Sequence, residues 1–214
     1  MIEPLQRDDV LLADINGTPR EAGRLDLWWL GQSGYLVQHD RLRMVFDPYL
    51  SDSLTTKYGG TEKPHDRISR RVIEPDRLTG VRFVTSTHGH TDHLDAETLG
   101  PMFAVNPRAA LVYAKATQSL VDARVDSASI QQIAMTAGDR VEIDDVMVHA
   151  VAAAHDEIEV DEHGTIVTWD TCWRRGYSRC ITVGTACRTT GWPKRCSRST
   201  LTWPSCPSTV RSAT

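Results

Sequence analysis

Val81-Arg82-Phe83-Val84-Thr85-Ser86-Thr87-His88-Gly89-His90-Thr91-Asp92-His93 carries a β-branched, strand-like run straight into a loop that holds three imidazoles and one carboxylate within six positions. Neutral imidazole and carboxylate are donors that Zn²⁺ takes readily. A loop at a strand end can also turn several side chains toward one point, free of helical spacing. The bland alternative is a solvated turn that happens to be rich in histidine. Single histidines are common in loops, but four ligand-type residues so closely spaced are not. His88, His90, Asp92 and His93 are therefore the candidate metal ligands.

The pattern His88-x-His90-x-Asp92-His93 resembles the signature loop of the metallo-β-lactamase superfamily. Trp28-Trp29-Leu30-Gly31-Gln32-Ser33-Gly34-Tyr35 and Phe46-Asp47-Pro48-Tyr49-Leu50-Ser51 resemble the opening hairpin of the branch containing the ascorbate-6-phosphate lactonases, as does Leu94-Asp95-Ala96-Glu97-Thr98-Leu99. The likeness covers residues 25–164 and then stops. It implies an α/β chain with the αββα sandwich fold, two mixed sheets face to face with helices outside, here incomplete in its C-terminal half. It also implies a third motif: Val148-His149-Ala150-Val151-Ala152-Ala153-Ala154-His155-Asp156 is similar to the strand that one histidine caps. By that carry-over His88, His90 and His155 surround one zinc, and Asp92 and His93 serve its neighbour. His149 falls at a different position of the strand and reads as structural.

The chemistry implied is metal-assisted hydrolysis. Three neutral imidazoles leave zinc its full charge and an open position, so that a bound water ionises near neutral pH and becomes the nucleophile. Asp92 is the catalytic candidate, orienting the attacking oxygen and accepting its proton. Manganese or iron would also suit such donors. A lactone or ester carbon and a phosphoester phosphorus are equally served, and residues 1–164 do not choose between them.

Alternation and turn residues predict strands at 25–30, 35–37, 44–46, 81–87, 109–112, 130–134, 140–143 and 146–151, and helices at 96–103 and 115–125. Asp95 is a good N-cap for the first helix, and Asn106-Pro107 ends it. At 214 residues the chain is long enough for one domain with a real core. It has no apolar stretch long enough to span a bilayer and no basic, apolar leader, so cytoplasm and a small-molecule substrate are the expectations. Asn16-Gly17-Thr18 reads as a turn. Arg67, Arg70 and Arg71 are candidates to meet an anionic substrate, although a run of arginines is more often a solvated face.

After Gly164 the composition changes. Residues 165–214 hold eight Lys or Arg against the single acid Asp170, all five cysteines, four of the six tryptophans, one leucine and no histidine. Residues 1–164 carry a net charge of −11, which argues against a phosphate-backbone partner for that part. Three readings of the tail stay open. Arginines with tryptophans would suit a nucleic-acid arm, with Arg174, Arg175, Arg195 and Arg198 meeting phosphates. Cysteines at 172, 180, 187, 196 and 206 contain no close Cys-x-x-Cys pair, a poor basis for a metal module. The third reading is a tail translated out of frame. Read from the third base of each codon, residues 164–172 permit His-His-Arg-Tyr-Leu-Gly-Tyr-Val, and residues 179–186 permit a stretch containing His-Ser-Gly-Asp, similar to the superfamily's metal-bridging motif. On that reading Asp170 is only a superficial imitation, the second metal keeps too few ligands, and the inner face of the first sheet is exposed. Function then divides in two: a zinc-dependent, lactonase-like hydrolase, or a non-catalytic product, whether defective fragment or metal-binding protein with a basic arm.

Overall fold

The computed structural model describes residues 1–62, 64–126, 130–153, 159–175, 181–183 and 209–212. A helix α1 (Asp8–Gly17) precedes an antiparallel meander of β1 (Leu25–Gly31), β2 (Gly34–His39) and β3 (Leu42–Phe46). The next strands pair in parallel onto its edge: β4 (Val81–Ser86) on β3, β5 (Ala110–Ala114) on β4 and β6 (Gln131–Met135) on β5. Parallel neighbours need a crossover, and α3 (Ala96–Val105) and α4 (Gln118–Arg124) provide two. A short helix α2 (Ser53–Tyr58) follows β3. A second sheet contains β7 (Arg140–Ile143), β8 (Val146–Ala152), β9 (Trp169–Arg175) and β10 (Ile181–Val183), and β11 (Thr209–Ser212) lies parallel to β1 at the first sheet's edge.

The alternation of side chains explains the layering. In β5, Leu111 and Tyr113 pack into one apolar cluster, while Ala110, Val112 and Ala114 pack into the other; Val45 and its neighbours Met44 and Phe46 divide the same way in β3. A strand covered on both faces needs apolar residues at nearly every position, which is why these segments read as continuous hydrophobic runs. The outer cluster joins Leu11 and Ile15 of α1, one turn apart, with Leu99, Met102 and Phe103 of α3 and Val121 of α4. The inner cluster is the interface between the sheets, where Val146, Val148 and Ala150 of β8 meet Met44, Phe46, Phe83 and Val112.

Several elements depart from the sequence expectations. The amphipathic signal of α1 is only Leu11 and Ile15, too brief to stand out, and Asn16-Gly17-Thr18 is its C-terminal end, where the Thr18 hydroxyl donates to the Asp14 carbonyl at 2.7 Å. The expected helix over 115–125 is a 3-10 turn at Lys115–Thr117 followed by α4. Asp95 does occupy the N-cap of α3, but its carboxylate accepts from Ser53 Oγ at 2.9 Å and Thr98 Oγ1 at 2.5 Å instead of from helix amides.

The tail corrects the expectation of an uncovered inner face. Trp169 and Trp173 of β9 are fully buried in the inter-sheet cluster, because two indoles supply more apolar area than most side-chain pairs. The fit is imperfect. The indole N–H groups of both tryptophans and the Thr171 hydroxyl are buried with no hydrogen-bond partner among the described residues. Each such group costs about 1–3 kcal/mol. Among the described residues, no helix contributes to the inter-sheet cluster.

Candidate metal centre

Phe46 ends β3, and the chain then turns sharply: Asp47 adopts φ +42°, a left-handed conformation that aspartate tolerates better than most residues. The turn sends its carboxylate to the end of β4. Thr85 Oγ1 donates to Oδ1 at 2.7 Å, the Thr87 amide donates to the same oxygen at 3.2 Å, and the Thr87 hydroxyl donates to Oδ2. His93 Nδ1 donates to Oδ2 at 2.6 Å. Burial pushes the Asp47 carboxyl toward its neutral form, but the bond from His93, that ring's positive charge and the threonine hydroxyls outweigh it and hold the group below the usual carboxylate range. Burial likewise works against a charged His93 ring, and the bond to Asp47, with the charges of Asp47, Asp92 and Asp170, outweighs it and raises the imidazolium's pKa.

An ionised carboxylate can only accept, so Asp47 fixes the His93 proton on Nδ1 and leaves Nε2 as the ring's donor atom to a metal. That Nε2 lies 3.6 Å from Asp92 Oδ2. Beside it, His88 Nε2 and His90 Nδ1 stand 3.2 Å apart, and the His88 and His93 ring centroids are 3.9 Å apart. Two nitrogens bound at zinc's usual 2.0–2.1 Å in a tetrahedron stand about 3.3 Å from one another, so the His88–His90 separation fits a shared ion. Asp47, His88 and His93 also form a buried group whose donor atoms lie within 4.8 Å of one another. Asp47 is also bonded to His93 and two threonines, which fixes the orientation of the His93 ring.

The family profile described as beta-lactamase superfamily domain matches residues 26–178. The chain belongs to this superfamily. Its fold is that of the metallo-β-lactamases and their metal-dependent hydrolase relatives. Two solved structures illustrate the likeness. CmlA, a diiron β-hydroxylase from Streptomyces venezuelae, is 19% identical with a TM-score of 0.53, over 78% of this chain and 30% of its own length. A "possible metal-dependent hydrolase" from Veillonella parvula is 15% identical with a TM-score of 0.55, over 73% of this chain and 61% of its own. The chain thus spans less than two thirds of either. No curated protein matches it. The superfamily match extends past Gly164 to residue 178, and so includes β9.

In the loop, His90 Nδ1 lies 3.2 Å from His88 Nε2, the His88 and His93 ring centroids are 3.9 Å apart, and Asp92 Oδ2 lies 3.6 Å from His93 Nε2. His155 lies outside the described residues, as do the side chains of Arg174, Arg175, Arg195 and Arg198. Two acids were not assigned from sequence. Asp47 sits in the quoted segment Phe46-Asp47-Pro48, but nothing in the spacing shows that it meets a histidine 46 positions on. Asp170 is buried on β9, next to Trp169, whose amide donates to the Thr87 carbonyl at 3.3 Å, and its charge acts on His93.

A cavity of about 450 Å³ opens beside the loop, lined among others by Gln32, Tyr58, His65, Arg67, His90, Asp92 and Arg124. Of the three arginines noted in the sequence, Arg67 reaches it, but from a buried position where it donates to the carbonyls of Tyr49, Ser51 and Ser69. Arg70 pairs with Glu3 and Arg71 with Glu74. The Ser33 hydroxyl, in the turn between β1 and β2, is within reach of the carbonyls of Asp47 at 3.1 Å and Asp92 at 2.9 Å, tying that turn to the loop. Gly31 there has φ +91°, and a Cβ on it would lie 2.5 Å from Ser69 Oγ, so the turn closes only with glycine. No helix of the described residues is long and apolar enough to cross a membrane.

Proposed function

We propose that the chain is a zinc-dependent hydrolase acting on a small lactone, ester or phosphoester. The observation that carries this reading is the buried group of Asp47, His88 and His93, whose donor atoms lie within 4.8 Å of one another, with His90 Nδ1 3.2 Å from His88 Nε2 and with His90 and Asp92 lining a cavity large enough for a small substrate. His88, His90 and His93 would hold zinc with Asp92, and the ion when bound supplies a Lewis acid and an activated water. The residues supply the rest. Asp47 holds a proton on His93 Nδ1, which leaves Nε2 as the ring atom that would meet the ion. Asp92, half-buried at the cavity wall, accepts the proton lost by the attacking water at its carboxylate. Tyr58 and His65 also line the cavity. The sequence likeness to the ascorbate-6-phosphate lactonases supports a lactone as the first substrate to try, with manganese or iron as alternative metals.

A non-catalytic, metal-binding chain is the second reading. It is favoured by the three buried, unpartnered polar groups concentrated between Trp169 and Trp173, a density unusual in an adapted strand. Both readings are separated by one assay. Purified chain, stripped with EDTA and reloaded with zinc, manganese or iron, is offered a panel of lactones, aryl esters and phosphodiesters. Metal-restored turnover supports the hydrolase; metal uptake without turnover on any of the three classes supports the second reading.

A further inference from the structure

Arg124, the last residue of α4, donates through a single nitrogen, Nη1, to the carbonyls of Gly89 and Leu94, at 3.0 Å each. Those two carbonyls bracket His90, Thr91, Asp92 and His93. Inside the bracket the His90 carbonyl accepts from the amides of His93 at 3.0 Å and Leu94 at 2.9 Å, so the segment closes into one turn. The same side of the 3-10 turn and α4 presses on the loop at a second point: a Cβ on Gly89 would lie 2.6 Å from Leu120 Cδ1 and 3.3 Å from Thr117 Cγ2. Thr117, Leu120 and Arg124 follow the spacing of one helical face.

The geometry points to Arg124 as a positioning residue for the metal centre, one that clamps both ends of the ligand loop so that its donors stay converged before any ion arrives. This rests on the reading of the loop as a metal site. A planar, permanently charged guanidinium makes stronger bonds to carbonyls than a neutral donor and holds them in a fixed relation. Without the clamp, a loop outside regular structure would have to be ordered by the ion itself, and affinity would fall by that cost. Among the described residues, Arg124 meets the loop through the backbone carbonyls of Gly89 and Leu94, so its effect passes through the loop backbone. The competing explanation is that Arg124 only glues α4 to the sheet; its loss would then lower thermal stability and leave the loop's properties in folded molecules untouched.

The test uses the full chain with Arg124→Ala and Arg124→Lys. Two quantities are read: the zinc dissociation constant by chelator competition, and hydrogen exchange at the His93 and Leu94 amides of metal-stripped protein. Arg124→Ala is expected to weaken zinc binding about 10–100-fold, the usual effect of losing a group that orients metal ligands. It should also speed exchange at those two amides while amides of β4 and β5 keep their rates. Arg124→Lys, which retains the charge but replaces the planar guanidinium with a compact ammonium on a different stem, should fall between. Parental zinc affinity and parental exchange at both amides in Arg124→Ala would overturn the clamp, however far the melting temperature drops. Should the parent bind no zinc, the metal reading fails, and the exchange comparison alone still decides for or against the clamp.

Discussion

His93 Nδ1 donates to Asp47 Oδ2 at 2.6 Å, and both side chains are more than nine-tenths shielded from solvent. The bond joins the turn after β3 to the end of the ligand loop, across 46 positions of sequence. Replacing Asp47 with Asn keeps the shape but removes the charge and frees the tautomer. Zinc affinity is expected to drop about 10–100-fold, measured by isothermal titration. In the metal-free chain the same substitution removes the charge that favours the protonated His93 ring and should lower stability in denaturant unfolding.

The pair also sets a pH dependence for metal-free protein. Asp47 titrates below its ordinary range, so its stabilisation is complete above the unfolded carboxylate value of about 3.9 and fades as pH falls through the lower folded value. His93 titrates above its ordinary range, so its stabilisation is complete below about 6.5 and fades as pH rises through the higher folded value. Urea midpoints in EDTA should therefore be higher at pH 5.5 than at pH 9, and Asp47→Asn should flatten the difference. Equal midpoints in the parent at both values would contradict the pairing.

Trp173 offers a test of the second sheet. It is fully buried, and its ring centroid lies 5.5 Å from that of His39. If β9 covers the inner face, Trp173→Ala should destabilise the chain by about 3–5 kcal/mol. Ending the chain at Gly164 removes Trp169 and Trp173 from the inter-sheet cluster and should raise binding of a hydrophobic dye. A truncated chain with the parent's unfolding midpoint and dye signal would show that β9 does not cover that face.

The loop was legible in the sequence as a candidate site because its chemistry is contiguous: four donor-type residues in six positions need no long-range information. The strands were legible for a similar reason, since a sheet buried on both faces writes apolar runs such as Leu111-Val112-Tyr113 directly into the chain. What escaped depends on folding. Asp47 and Arg124 reach the loop from 46 positions before His93 and 30 positions after Leu94, and neither spacing has a periodicity that reveals it. Helix α1 escaped because two buried residues make too short an apolar stripe. Residues 165–214 were read from composition, which sees arginine and cysteine counts but not that Trp169 and Trp173 alternate onto one face of a strand. Asp170, between them in sequence, was set aside because it follows His155 by only 15 residues and lacks a preceding strand-to-loop pattern; in the fold β9 pairs with β8, and the Asp170 charge acts on His93.

Glycine at position 89 marks how closely α4 approaches. Its backbone is not left-handed, and the tip of Leu120, over a third exposed, has room to rotate away from an added methyl. Gly89→Ala should therefore change stability by less than about 1 kcal/mol. Thermal unfolding checks this; a loss as large as that expected for Trp173→Ala would mean that Leu120 is held more rigidly than its exposure indicates.

The most direct measurement is calorimetric titration of Zn²⁺ into EDTA-stripped full chain, beside His88→Ala and His93→Ala. The expected result is about one zinc or more per chain for the parent, with affinity reduced at least 100-fold in each variant, as loss of a zinc ligand requires. A parent that takes up no zinc, or variants that bind it as tightly as the parent, would contradict the metal centre at His88–His93.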